Sequence, residues 1–147
     1  MIQFNIEDNT AKHGRTYIYN LHYEIIWTTY NMQPVINHEI QSKLIAQLQS
    51  IATKYNFNID QADINKSTVH LLVSAKPLIS VTFIIKVLKG TSGKWLLNYN
   101  KGQLKSTFIN NHVWSHLYYV NSLGNSNTVE LSKFIKLQKQ KILNKQK

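Results

Sequence analysis

The sequence contains no cysteine, only one arginine, two prolines, and not a single aspartate or glutamate from residue 64 to residue 129. Each absence narrows the field. Without cysteine there are no disulfides and no thiolate metal sites, which fits a reducing cytoplasm. No apolar run is long enough to span a membrane, and the polar N-terminus does not read as a signal peptide. Without acids across the middle of the chain, that stretch supports neither paired-carboxylate hydrolysis nor a carboxylate-rich magnesium site. Earlier acids such as Glu24 or Asp63 could fold into such a site. Arg15 is the lone arginine among 17 basic residues. Lysine meets phosphate as a point charge, whereas arginine reads guanine edges with two bonds. Recognition by shape and backbone is therefore expected over base reading in a duplex.

What is present is lysine, and it is unevenly placed. Residues 1–63 carry four basic and six acidic side chains, while residues 64–147 carry 13 lysines and one acid, Glu130. The overall charge is +10. A second part of net +12 implies an anionic partner, most simply a phosphate backbone. Lys66, Lys76, Lys86, Lys89, Lys94, Lys101 and Lys105 are the candidate phosphate contacts. Trp95, Trp114, Tyr118 and Tyr119 are candidate stacking residues for exposed bases, competing with the bland alternative that they are core.

The 147 residues, 43% of them hydrophobic, suit one domain with a real core. Residues 1–15 are polar and irregular and read as a loose extension before a single domain, 16–147. From Tyr17 to Thr28 apolar and polar residues alternate, which is the signature of a half-buried strand. After Pro34, Ile40, Leu44, Leu48, Ile51 and Tyr55 fall on one helical face, with Asn37 as cap. Phe57–Ile64 and Ser67–Val73 read as strands joined by a turn at Asn65-Lys66. Past Pro77, Ser80 caps a helix that buries Val81, Ile84, Ile85 and Leu88. Gly90 to Gly93 should loosen or kink it before Trp95–Leu97 resume. Residues 98–111 read as a polar loop, and His112–Val120 as an aromatic strand. After a turn at Gly124–Asn127, Val129 to about Leu143 forms a basic amphipathic helix. The order βαββαβα describes an α+β, ferredoxin-like sandwich, with a mostly antiparallel sheet and its helices on one face.

Two segments carry the possible chemistry. In the strand Ser67-Thr68-Val69-His70-Leu71-Leu72-Val73, Thr68 and His70 share a face because strand side chains alternate. Two histidines at that spacing hold a divalent ion, but a threonine hydroxyl is a poor ligand, and a lone histidine is more often structural. In the last helix Phe134 and Gln138 are four apart and lie on one face. A tyrosine at 134 would offer a phenol oxygen to a phosphate; phenylalanine offers none. Gly90-Thr91-Ser92-Gly93-Lys94 is no phosphate loop, since its glycines are too close and Trp95 follows the lysine.

From Tyr19 to about Gln140 the chain resembles the short single-tyrosine transposases of the HUH nuclease superfamily (IS200-like, TnpA type). The similarity rests on five pieces in one order. They are Tyr19-Asn20-Leu21-His22-Tyr23-Glu24-Ile25-Ile26-Trp27, Thr68-Val69-His70-Leu71-Leu72-Val73, the stretch Ser80 to Ser92 with its Lys89-Gly90-Thr91-Ser92 element, Trp114-Ser115 through Val120 and Gly124, and Phe134 with Gln138. The family usually has histidine where Glu24 stands, histidine where Thr68 stands, and tyrosine where Phe134 stands.

The resemblance implies a homodimer that binds single-stranded DNA hairpins. It also implies a tyrosine that attacks the scissile phosphate, and a magnesium or manganese ion held by two histidines and a glutamine. Carried over, His70 and Gln138 are remaining ligands, Thr68 a lost ligand and Phe134 a lost nucleophile. The expected protein is a catalytically inactive transposase derivative that binds structured, hairpin or single-stranded, DNA or RNA, in the role of a regulator. It needs no cofactor and retains at most residual magnesium or manganese binding. Two alternatives stand beside it. One is an active nuclease whose nucleophile has moved to Tyr118 or Tyr119. The other is a dimeric scaffold for a protein partner, in which the charge serves only solubility.

Overall fold

The computed structural model describes residues 3–8, 10–124 and 128–145; the side chain of Phe134 in the last helix lies outside the described residues. Two short strands, β1 (Lys12–His13) and β2 (Ile18–Tyr19), form a small hairpin. The main domain follows as β3 (His22–Thr29), α1 (His38–Lys54), β4 (Asn58–Ile64), β5 (Thr68–Ser74), α2 (Val81–Leu97), the single turn α3 (Tyr99–Gly102), β6 (Trp114–Leu123) and α4 (Thr128–Lys145). Its four strands pair in the order β4-β5-β3-β6, every pair antiparallel. This is the βαββαβα order read from the sequence, and the fold is α+β.

Strand parity divides the sheet. Ile25 and Trp27 of β3, with Val69, Leu71 and Val73 of β5, point to one face and are at most 1% exposed. Against them lie Ile40, Leu44, Leu48 and Ile51 of α1 and Ile84, Ile85, Leu88 and Leu96 of α2, all buried in the same core. Burying one such side chain is worth about 1.5–3 kcal/mol, so this interface dominates the stability. The caps are as expected: the Asn37 side chain accepts from the Ile40 N–H at 2.8 Å, and the Ser80 hydroxyl from the Phe83 N–H at 3.1 Å.

Four readings need correction. First, α2 runs unbroken from Val81 to Leu97, through both Gly90 and Gly93. Gly93 serves packing, since a Cβ there would sit 3.2 Å from Trp114 Cδ1. Second, the expected strand from Tyr17 is interrupted at Asn20-Leu21, leaving Tyr17 40% exposed. Third, the stretch 98–111 contains short helical turns, bent by left-handed Asn100, Lys101, Asn110 and Asn111. Asparagine tolerates that conformation better than most side chains, which makes the bends affordable there. Fourth, the first residues are not loose where they are described. Phe4 is 9% exposed, and Gln61 Nε2 donates to the Asn5 carbonyl at 2.8 Å. Phe4 supplies the anchor, and its contact with the His70 ring depends on the path of the segment and not on a local pattern.

Candidate functional site: the open face of the sheet

The second face of the sheet lacks a helix layer over it among the contacts described, and it collects the polar side chains of β3 and β5. Register places Thr68 opposite Thr28, His70 opposite Ile26, Leu72 opposite Glu24, and Ser74 opposite His22. On the outer strands, Asp63 pairs with His70 and Gln61 with Leu72, while Tyr119 pairs with Ile26 and Asn121 with Glu24. Alternation puts all of these on the face opposite the core.

His70 sits at the centre and is 2% exposed. Its Nε2 lies 3.1 Å from Glu24 Oε2. A carboxylate only accepts, so Nε2 is the nitrogen that carries the proton. Nδ1 is buried without a hydrogen-bond partner among the described residues. The Phe4 ring lies over the imidazole, with centroids 4.1 Å apart at 35°. Glu24 is one of the earlier acids that could fold into this site, and it lies against His70. A second pair lies further along: His22, 7% exposed, has Nε2 at 2.8 Å from Asn20 Oδ1 and Nδ1 at 3.7 Å from Asp60 Oδ2. Between this pair and the N-terminal segment is a cavity of about 420 Å³, lined by Asp8, Lys12, His22, Asp60 and Lys76 among others.

This arrangement does not fit a bound divalent ion. His70 Nε2 is engaged by Glu24, and Thr68 adds only a neutral hydroxyl. Among the described residues no three His, Asp or Glu side chains converge as ligands. Gln138 is exposed on α4, and no hydrogen bond joins it to His70 among the described residues. Thr68 and His70 thus share one face of β5, Gln138 lies exposed on α4, and the side chain of Phe134 falls outside the described residues.

The lysines divide as well. Lys66 stands in the β4–β5 turn, Lys76 just past β5, Lys86 and Lys94 on α2, Lys101 in α3 and Lys105 just after it; all six are exposed. Lys89 is different. It is half-buried, its Nζ donates to the Ser115 carbonyl at 2.6 Å, and it lies 5.6 Å from the centre of the Tyr118 ring. Burial holds its ammonium below the ordinary lysine value. Lys89 therefore ties α2 to β6.

The stacking candidates separate similarly. Trp114, 7% exposed, belongs to the core, and its Nε1 donates to the Ser92 hydroxyl at 3.1 Å. Trp95 is half-buried. β6 forms one edge of the sheet, and Leu117, Tyr118, Tyr119 and Val120 on it are 81, 45, 53 and 37% exposed. Tyr118 pairs with Trp27 and so faces the helix side, while Tyr119 shares the open face with His70, two strands away. Sequence reasoning missed Phe4, the closure of His70 by Glu24, and the structural use of Lys89. The first two depend on which strands become neighbours, and no local pattern encodes that.

Known proteins place this fold. The profile of the family described as "Transposase IS200 like" matches residues 17–138. Over 130 residues the chain is 28% identical to the ISDra2 transposase TnpA of Deinococcus radiodurans, covering 88% of this chain and 92% of that one. Over 133 residues it is 27% identical to the transposase for insertion sequence element IS200 of Salmonella typhimurium, covering 90% and 84%. In three dimensions it matches a crystal structure assigned to a transposase of Deinococcus radiodurans R1 with TM-score 0.71 and 26% identity, over 86% of this chain and 97% of that one. It shares its fold with a REP-associated tyrosine transposase solved with a REP hairpin, with TM-score 0.52 and 9% identity over 84% and 68% of the two chains. The profile spans the strand with His70, the glycine-bearing helix, the aromatic edge strand and the last helix as far as Gln138, and the chain belongs to the IS200-like transposase family.

Proposed function

We propose that this chain is a catalytically inactive transposase derivative that binds structured single-stranded DNA or RNA. The observation that carries the inactive reading is the pairing of His70 Nε2 with Glu24, beside a threonine at the strand's other ligand position. Phe134 at the tyrosine position supports it, because its ring has no oxygen to attack phosphate. Binding is supported by the six exposed lysines and by the hairpin held by the REP-associated relative. A homodimer is part of the reading. A ten-residue edge strand with four exposed hydrophobic side chains is a surface that a second copy covers well. Exposed Ile135, Leu137 and Leu143 on α4 add to it.

Fluorescence anisotropy with a labelled hairpin over a salt series tests binding. Affinity should fall steeply with salt, and Lys66, Lys86 and Lys94 changed together to Gln should flatten the slope by roughly 2–3, as about 0.7–0.9 is lost per contact. Binding that ignores salt, or no binding at all, would favour a protein-interaction scaffold.

One observation favours a second reading, an active enzyme with a relocated nucleophile. Tyr119 lies on the face of His70, in the same cross-strand row. Incubation of the unmodified protein with single-stranded hairpin DNA and manganese, followed by denaturing electrophoresis, separates the two. No covalent adduct is expected; an adduct mapped to Tyr119 would reverse the order of the readings.

A further inference from the structure

On the helix side, far from His70 in the fold's two-faced plan, a groove of about 560 Å³ opens between α1 and the end of α2. Its lining includes Lys43, Lys94, Trp95, Asn98, Tyr99 and Asn100. The two rings are four residues apart, with centroids 5.4 Å apart and planes tilted by 58°, so they do not cover each other face to face. Lys43 Nζ stands 5.4 Å from the centre of the Tyr99 ring. Glu39 Oε1 receives both the Lys43 ammonium at 3.1 Å and the Tyr99 hydroxyl at 3.1 Å. That contact lowers the Glu39 carboxyl and raises Lys43, so both remain charged at neutral pH. Lys94 is exposed, without a side-chain partner among the described residues. Aromatic surface flanked by two cations and two amides is the chemistry of a nucleotide: rings for the base, ammonium groups for the phosphate.

We propose that this groove binds one unpaired nucleotide, its base on Trp95 and Tyr99 and its phosphate between Lys43 and Lys94. The proposal rests on the nucleic-acid reading above and adds a second contact, on the face of the protein opposite His70. Glu39 competes with the phosphate for Lys43. Its removal should therefore strengthen binding, an effect that loss of a merely structural group would not produce.

Tryptophan emission reports the site directly, because Trp27 and Trp114 are 1% and 7% exposed while Trp95 is half-buried. The full chain is titrated with a blunt DNA hairpin and with the same hairpin carrying a single-stranded tail of six thymidines. The tail should quench the emission and tighten binding by about tenfold, the worth of one stacked base. W95F should abolish the quench. E39Q should tighten binding of the tailed hairpin by a few-fold, and K43Q with K94Q should erase the advantage of the tail. Equal affinity for the two hairpins, with unchanged emission, would overturn this site and leave the general binding function standing. Failure to bind either hairpin would overturn both.

Discussion

The two faces of this sheet use the same strands for opposite ends. On the helix side Trp27, Val69 and Leu71 are sealed under α1 and α2, and their value lies in apolar area removed from water. On the open side Glu24, His70, His22 and Asp60 form two histidine–carboxylate contacts under a short N-terminal segment. The first face tolerates almost no change of shape. The second carries Thr68 and His70 on one face of β5, and under the proposed function Thr68 is a lost ligand on a sheet that is otherwise complete. Under the proposed function, fold and activity are separable: the helix side holds the architecture, and the residues of the open side can change without emptying the core.

Adjacent residues of β3 give the sharpest test of that division. Trp27→Ala should cost about 3–5 kcal/mol, because it empties a fully packed site. Thr28→Ala, one residue on and facing the open side opposite Thr68, should cost less than about 1 kcal/mol, the value of a cross-strand pair. Chemical denaturation of the two variants compares them directly, and equal losses would break the comparison.

Within the helix layer, the two glycines of α2 extend the argument to atomic distances. At Gly93 an added Cβ would lie 3.2 Å from Trp114 Cδ1 and 3.3 Å from its Nε1. That indole is held by its bond to Ser92, so it cannot slide away freely. Gly93→Ala should destabilise by about 1–2 kcal/mol, overpacking outweighing the gain in helix propensity. At Gly90 nothing lies within 4 Å, and Gly90→Ala should stabilise by about 0.5–1 kcal/mol. Thermal melts of the pair should move in opposite directions.

The helix side was also the part legible in the sequence. Periodicity located α1, α2 and the strand pair around Asn65, because burial on one face writes a regular pattern. The resemblance named the family, and the profile match over residues 17–138 agrees. The open side was less legible for a physical reason. Glu24 and His70 are 46 residues apart, and Phe4 reaches His70 from further still; only the strand order β5-β3 and the path of the N-terminal segment bring them together. The role of Gly93 was misread for the same cause, since its partner Trp114 is distant in sequence. Lys89 could not be told from its neighbours by charge alone, and its bond to Ser115 removes it from the free cations.

The smallest expected effect concerns what covers the open face. Asp8 accepts from the Lys12 ammonium at 2.9 Å and from the Thr10 N–H at 3.0 Å. Those bonds, the one from Lys12 foremost, lower its carboxyl from the usual 3.8 to about 2. A carboxyl with a lower value in the folded protein stabilises it above the unfolded value and loses that contribution as pH falls toward the folded value. The Asp8 clasp should therefore be fully present above pH 4 and fade between about pH 4 and pH 2. Both partners are exposed, so the loss belongs to the segment and not to the core. Amide exchange followed by NMR should show the protons of residues 3–8 speeding up relative to those of β5 across that window, with the Asp8→Asn variant already loosened at neutral pH and less sensitive to acid. If β5 and residues 3–8 accelerate together, the cover and the sheet form one cooperative unit, and the separation of the two faces is weaker than their chemistry suggests.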